Sequence, residues 1–292
     1  MIDWKSQVIT GPRDVAPRVL VYGVPGVGKS TFASQAPRPI AIDSDRGLEQ
    51  LGVERIPGPG TWLAALALIG ELVDTSGYGT IVIDTIDPLE ELATAYVCGE
   101  GKKKGLADFE WGAGYEALAQ QWRVLLSTLE RARPRGMGVV LVGHSVVRAA
   151  QDPTLGAFDQ FTPQLQKKTW SATARWCDVI GFATVDAAIV GDDRRAIVTG
   201  ERVLRTSRGT GYEAKNRYAL PDSLPLVWSA LAAGMAAHGR PADTAETVRA
   251  RIHSLASGTE YQAKAEDFVA AAGDDVGKLI GVEAALKARV GR

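Results

Sequence analysis

Residues 23–30, GVPGVGKS, form a glycine-rich stretch that ends in a lysine and a serine and lies between a predicted strand and a predicted helix. Glycines let backbone N–H groups curve around a phosphate, the lysine brings positive charge to the β- and γ-phosphates, and the serine hydroxyl is a ligand for Mg²⁺. The stretch therefore predicts a P-loop that binds ATP with Mg²⁺. The residues predicted to contact the nucleotide are Gly23, Val24, Pro25, Gly26, Val27, Gly28, Lys29, Ser30 and Thr31.

Acidic residues at the ends of two other predicted strands could complete this site. Asp84 ends the apolar run GTIVID and is predicted to hold Mg²⁺ with the P-loop serine; a helix cap for the following PLEELATAY is the alternative. Because Thr85 rather than a glutamate follows Asp84, the carboxylate that activates water must come from elsewhere. We predict Asp45, in IDSDRG, as this general base, and Glu49 as the second choice. In the alternative interpretation, Asp43 or Asp45 only caps a turn.

A histidine, His144, ends the predicted strand VVLVGHS. The carboxyl ends of strands in a parallel sheet face the ligand crevice, so a histidine there could touch the γ-phosphate or the attacking water. It could then report the loss of that phosphate to the segment that follows. The alternative is a core histidine whose ring nitrogens are satisfied by neighbouring groups.

Short apolar runs alternate with helical stretches through the first half of the chain. The predicted strands are 18–23, 39–43, 79–84 and 136–145, and the predicted helices are 29–36, 61–73 and 110–132. In the last of these helices, apolar residues recur from Trp111 to Leu129 with helical spacing. Alternation of this kind predicts a parallel sheet covered by helices on both faces.

The pattern changes beyond the histidine. Residues 146–163 are polar and contain glycine and two prolines, so we expect a long loop there, followed by a helix over 164–176. The runs VIGFATVDAAIV, RRAIVTG and RVLRTS are predicted as strands joined by tight turns at GDD and GE. We therefore expect an α/β core over 1–238, in which antiparallel strands extend one edge of the sheet, and a three-helix appendage over 242–292.

Composition sets bounds on partners and location. The 292 residues carry a net charge of −1, which argues against a global basic field that would draw the chain onto nucleic acid or membranes. The two cysteines, Cys98 and Cys177, lie in apolar surroundings and are expected to be buried free thiols. The opening MIDWKSQVIT lacks a signal pattern, and no apolar run reaches the length of a membrane span. We expect a cytoplasmic protein.

Five motifs in order, YGVPGVGKSTFA, IDSDRG, TIVIDT, VVLVGHS and AKNRYALP, resemble those of the RecA-like ATPases. More closely, they are similar to the phage AAA-type ATP-binding proteins that include the Sak-type single-strand annealing ATPases. The resemblance covers about residues 18–221 and implies a RecA-like ATPase that works on single-stranded DNA in a bacterial host cell. Asp45 is a departure, because such proteins usually carry glutamate at that position.

The motif AKNRYALP carries a further implication of the resemblance. In RecA-like rings and filaments, a lysine and an arginine near the end of the core reach the ATP of the neighbouring subunit. Lys215 and Arg217 match that element, which implies a homo-oligomer in which the arginine stabilises charge that develops during phosphoryl transfer. A solvated edge strand is the alternative, since exposed lysines discourage edge-to-edge pairing.

Contact with single-stranded DNA is expected from the segment after His144, where charge and aromatic faces occur together. The candidate DNA contacts are Arg148, Phe158, Phe161, Lys167 and Lys168, although the phenylalanines could instead be anchors to the core. A single-strand-binding protein is a further possible partner. Two other functions stay open: a DNA motor of the RadA or DnaB type, and a small-metabolite kinase with GDDRRA as its lid, which the strand-turn-strand context disfavours.

Overall fold

The structure is a computed structural model that describes residues 8, 15–75, 77–152, 156–190, 195–238 and 245–290. The chain divides into two compact units, residues 1–238 and 239–292. The first unit contains one mixed sheet, and the second contains three helices. Among the described residues, no helix is long and apolar enough to cross a membrane.

The centre of the sheet is parallel. Its strands are β1 (Arg18–Gly23), β2 (Pro39–Asp43), β3 (Glu54–Pro57), β4 (Thr80–Asp84) and β5 (Gly138–Asp152). They lie in the order β1-β5-β4-β2-β3, and β7 (Val179–Val190) adds a parallel neighbour on the other side of β1. The buried faces of these strands carry valine, isoleucine and leucine, as expected where helices cover both sides of a sheet. The predicted α/β fold with a mostly parallel sheet is confirmed.

Antiparallel strands extend the edge next to β7, as predicted. They are β8 (Arg195–Arg205), β9 (Lys215–Asn216) and β10 (Ser223–Pro225). The expected turn at GE is wrong, because β8 runs through it as one strand. Gly200 has a φ of 84°, and the pairing of β7 with β8 shifts register nearby, so the strand accommodates the irregularity without a break. The GDD turn, and with it the first four residues of GDDRRA, lies outside the described residues.

Two further expectations are corrected. Residues 146–163 are not a long loop: β5 continues to Asp152 and pairs antiparallel with β6 (Gly156–Pro163), forming a hairpin. The predicted helix over 110–132 is shorter, since α4 spans Ala113–Glu130. Trp111 precedes it with a φ of 54° and a fully exposed ring, so it takes no part in the apolar face.

Helices of the first unit cover the sheet and form a core with it. Besides α4, the α-helices of this unit are α1 (Lys29–Ser34), α2 (Trp62–Thr75), α3 (Ile86–Glu100), α5 (Lys167–Trp176) and α6 (Trp228–Ala237). The helices described in the second unit are α7 (Ala245–Ala256), α8 (Gln262–Ala272) and α9 (Val276–Val290). Buried residues of α2, α3 and α4 pack on one face of the sheet in a continuous apolar cluster, in which the rings of Trp62 and Trp122 are stacked. Cys98 and Cys177 are buried free thiols.

Candidate nucleotide site

The P-loop connects β1 to α1, and its local geometry requires glycine at two positions. A Cβ at Gly23 would lie 2.2 Å from the carbonyl oxygen of Ala183, so only glycine lets β1 approach β7 this closely. Gly28 has a φ of 104°, a conformation that residues with a side chain rarely adopt. Val24, Pro25 and Gly26 are exposed at the tip of the loop, whereas Val27 is buried beneath it. Strand, loop and helix therefore follow one another as the motif requires.

Lys29 lies inside the loop and is 5% exposed. Its Nζ donates hydrogen bonds to the carbonyl oxygens of Gly23 and Val24, at 2.9 and 3.0 Å. Burial lowers its pKa, and the negative charges of Asp84, Asp87 and Asp45 act in the opposite direction. The nearby carboxylates favour the charged form of the lysine, and its desolvated ammonium group is available to an anion that enters the loop.

Asp84 ends β4 and is buried beside the P-loop helix. Its Oδ2 atom has no hydrogen-bond partner among the residues that the structure describes. Burial raises the pKa of this carboxyl group, while a hydrogen bond from Ser30 and the charge of Lys29 oppose that change. A carboxylate with a free oxygen beside a serine hydroxyl fits Mg²⁺, which usually takes one or two protein oxygens together with phosphates and water. Within the described residues, no cluster of three or more acidic, histidine or cysteine side chains offers another cation site.

The second acidic segment, which follows β2, also reaches this edge of the sheet. β2 is not a neighbour of β1, since β5 and β4 lie between them. Asp45 is nevertheless at the site, because its Oδ2 lies 3.8 Å from Nε2 of His144. Asp43 accepts a hydrogen bond from the backbone N–H of Gly47, so the turn-capping interpretation fits that residue. Glu49 is exposed beyond this turn.

Asp45→Asn is expected to keep ATP binding but to lower the turnover number by about a hundredfold or more, the loss typical of a general base. An amide cannot accept the proton of the attacking water, while it keeps the shape of the side chain. Phosphate release measured at saturating ATP checks this, with Glu49→Gln as the control from the same loop. Normal turnover in Asp45→Asn together with a defect in Glu49→Gln would identify Glu49 as the base instead.

His144 lies where β5 passes the P-loop, in register with Gly23 of β1. Its Nδ1 is 3.0 Å from Oδ2 of Asp87, and the same carboxylate accepts its backbone N–H at 3.1 Å. The ring is therefore held at one nitrogen and presents the other toward Asp45. Burial raises the pKa of Asp87, and its contacts with His144 oppose that change.

Glu90 lies on the same helix, α3, three residues after Asp87, and contacts another element. Its carboxylate accepts the backbone N–H of Gln166 at 3.0 Å and the hydroxyl proton of Thr169, so it caps the beginning of α5. Burial raises its pKa, and these hydrogen bonds oppose the change. Helix α3 thus joins the histidine at the P-loop to the start of α5.

The predicted DNA contacts lie on the hairpin and on α5. Arg148 donates a hydrogen bond to the carbonyl oxygen of Leu165 at 2.6 Å, which ties the hairpin to the segment before α5. Phe161 is half-buried and stacked on Phe182 at 5.2 Å, which fits the alternative in which it anchors the hairpin to the core. Phe158 is half-buried near the hairpin tip.

Lys215 and Arg217 lie away from their own P-loop, because β9 pairs with Val179 and Ile180 at the start of β7, whereas Gly23 pairs with Ala183 further along that strand. The Nζ of Lys215 donates to the carbonyl oxygens of Ala174 and Arg175 at the end of α5. Arg217 pairs with Asp178 at 3.0 Å and remains 48% exposed. Both side chains therefore also support the end of this helix.

The structure brings Lys167 together with this pair in one groove of about 630 Å³. The groove is lined by Lys167, Trp170, Ser171, Ala174, Arg175, Lys215 and Arg217. Asp178, beneath it, pairs with Arg18 and Arg133 as well as with Arg217. Because Glu130 also pairs with Arg18 and Arg133, two carboxylates face three guanidinium groups, which leaves an excess of one positive charge. Lys168 lies on the other side of α5, paired with Glu116.

Three residues at the site were not singled out in the sequence. Asp87 reads as an ordinary first-turn acid of an amphipathic helix, which favours the positive end of its dipole, and Glu90 reads as a surface acid of the same helix. Only the burial of both carboxylates, which sequence does not show directly, marks them as different. Arg202 of β8 lies against the P-loop, with Nη1 3.2 Å from the position of a Cβ on Gly28. No local sequence motif predicts this contact, because it depends on where β8 pairs in the sheet.

The comparisons with known proteins agree with this geometry. A family model of the AAA domain matches residues 16–218, which include β1, the P-loop, Asp84 and His144 and extend to Arg217. No similar protein is found among those of curated function. The match spans more than half of the chain and includes every element that builds the nucleotide site. The chain therefore belongs to the AAA-type P-loop NTPases, which are nucleotide-binding ATPases.

Proposed function

We propose that this protein hydrolyses ATP with Mg²⁺ and that the bound nucleotide controls its affinity for single-stranded DNA. It would act in recombination, where it would anneal strands or load a partner protein. It would then be a phage AAA-type ATPase of the Sak kind, acting as a homo-oligomer in the cytoplasm of the bacterial host. The observation that carries the proposal is helix α3. Its two buried carboxylates hold His144 beside the P-loop and the first turn of α5, which borders the cationic groove.

The chemistry assigned to the chain is a water attack on the γ-phosphate. Lys29 neutralises charge on the phosphates, and Asp84 with Ser30 would hold the Mg²⁺, which when bound offsets further negative charge. Asp45 accepts the proton of the attacking water. His144 lies within 3.8 Å of Asp45 and donates or withdraws a hydrogen bond as the γ-phosphate is present or lost.

DNA is assigned to the side of the molecule where α5 begins. Lys167 offers charge to backbone phosphates there, and Lys168 would do so by exchanging its exposed pair with Glu116 for a phosphate. Arg148 supports the junction, and Phe158 is the remaining candidate for stacking on a base. A local cationic surface of this kind binds a polyanion even though the net charge of the chain is −1. A change at His144 would reach it through Asp87, α3 and Glu90.

The other end of the same groove is assigned to a neighbouring subunit. Lys215 and Arg217 cannot serve their own P-loop from where β9 lies, but Arg217 keeps about half of its surface open to an incoming anion. In an oligomer they would approach the γ-phosphate bound to the next subunit. An arginine supplied in this way ties hydrolysis to assembly.

The α3 connection predicts that Glu90→Gln uncouples DNA affinity from the nucleotide. In the wild type, a labelled oligothymidylate is expected to bind about tenfold tighter with an ATP analogue than with ADP, within the usual range of coupling between two sites. Glu90→Gln replaces one of the oxygens that caps α5, so the ratio is expected to fall close to one while ATP affinity is unchanged. Fluorescence anisotropy at fixed salt measures both.

Glu91→Gln is the matched control, because Glu91 lies on the same helix but is exposed to solvent. It should keep the wild-type ratio. Equal DNA affinity of the wild-type protein in both nucleotide states would contradict the proposed function itself. If Glu90→Gln keeps the wild-type ratio of DNA affinities with the ATP analogue and with ADP, only the connection through α3 is contradicted.

A further inference from the structure

The C-terminal unit has a groove that its own packing does not fill. Helices α7 and α9 pack through buried residues such as Val248, Ile252 and Leu279, and Arg251 joins them by a bidentate contact with Glu283. On the opposite side of α9, a groove of about 330 Å³ runs between α8 and α9. The groove belongs to neither the nucleotide site nor the groove along α5, so its use is independent of the proposed function.

The floor of this groove is apolar. It is formed by Ala265 and Phe268 of α8 and by Val282 and Leu286 of α9. Phe268 is 56% exposed, although an aromatic ring of this size usually contributes more by burial than any other side chain of a small unit. The floor therefore offers a place for an apolar side chain from outside the unit.

The rim of the groove is basic. Lys264, Lys278 and Arg289 line it, and the described lining residues include no acidic side chain, although the hydroxyl of the lining residue Tyr261 donates a hydrogen bond to the exposed Glu260. Lys278 is 3.5 Å from Asp275, but both groups are half or more exposed, so this pair neutralises little of the positive charge that a ligand would meet. An apolar floor with three cations around it selects a ligand that is apolar at its centre and negative at its edges.

We propose that the groove between α8 and α9 binds an acidic peptide segment of a partner protein, with one aromatic or branched apolar side chain seated on Phe268. The side chain would bury apolar surface, and flanking carboxylates would pair with Lys264 and Arg289. The charges increase the rate of encounter and set the orientation of the segment. Two rings, Tyr261 and Phe268, line the groove, but the rest of its apolar surface is aliphatic, which favours an apolar side chain of a peptide over the stacked bases of a nucleic acid.

The probe is a fluorescein-labelled synthetic peptide with aspartates on both sides of one phenylalanine, titrated with the full-length protein. Phe268→Ala is expected to weaken binding at least tenfold, and Ile280→Ala, an exposed apolar residue of α9 outside the groove lining, is expected to leave it unchanged. Lys264→Glu should weaken binding about tenfold, whereas Lys103→Glu makes the same change in net charge in the other unit and should have no effect.

Further ligands keep the test decisive even if a variant is less stable. A peptide with lysines in place of the aspartates should bind Lys264→Glu better than the wild type, which loss of folding would not produce. A peptide with serine in place of the phenylalanine should not bind. The proposal is overturned if the acidic peptide binds Phe268→Ala as well as the wild type. It is also overturned if oligothymidylate competes fully for the groove, or if Phe268→Ala abolishes self-association of the chain instead.

Discussion

Lys29→Ala is expected to abolish measurable ATP hydrolysis and to leave the fold intact. The Nζ of Lys29 is the cation held inside the P-loop, 2.9 and 3.0 Å from two carbonyl oxygens that close the loop. A nucleotide would replace those weak contacts by its β- and γ-phosphates. Without the lysine, the phosphates would face Asp84, Asp87 and Asp45 with no compensating charge from the loop. Removing a cation from this buried position therefore costs both binding and transition-state stabilisation.

The fold should survive because the loop is held by its backbone and by Val27, which packs in the core, and not by the lysine. Burial already lowers the pKa of Lys29, so its charge is costly in the absence of ligand. Phosphate release and circular dichroism measured on the same preparation check both parts. Lys104→Ala, an exposed lysine elsewhere in the unit, is the control. Unchanged turnover in Lys29→Ala would contradict the assignment of the site.

Sequence could predict those parts of the site whose residues are neighbours in the chain. The P-loop is a contiguous motif, and Asp84 ends an apolar run that can only be a buried strand, so the type and place of both follow from a few neighbouring residues. The alternation of strands and helices likewise gives the parallel sheet. These features depend on short-range patterns that tertiary structure does not override.

The parts that sequence could not predict depend on pairing and burial across the chain. Residues 146–163 read as a loop because glycine, proline and polar residues are frequent there, yet the backbone of β5 finds a partner in β6 and the hairpin forms. Glu90 reads as a surface acid until α5 packs over it. Trp111 shows the opposite error, since the helical spacing begins before the helix does, at a residue whose φ of 54° keeps it outside α4.

Arg217→Ala is expected to bind ATP normally and to lower turnover by about a thousandfold, the lower end of what an arginine supplied in trans contributes. Its own P-loop is untouched, because β9 pairs with the first residues of β7, whereas the P-loop begins at Gly23, which pairs with Ala183. The structure also offers a competing explanation for any loss, since Arg217 pairs with Asp178 and contacts the end of α5. Turnover of the single variant therefore cannot separate the two roles, but a mixture of variants can.

In that mixture, the Lys29→Ala subunit has an inactive P-loop and an intact Arg217. The Arg217→Ala subunit has a functional P-loop and lacks the arginine. If Arg217 acts on the neighbouring subunit, mixed assemblies place some working P-loops against intact arginines, and activity reappears that neither variant shows alone. If Arg217 only supports α5 of its own chain, each defect stays within its subunit and mixing restores nothing. Arg208→Ala, an exposed arginine outside the groove, should hydrolyse ATP normally by itself. Absence of recovery, in mixtures that light scattering shows to co-assemble, would assign Arg217 to the support of α5 alone.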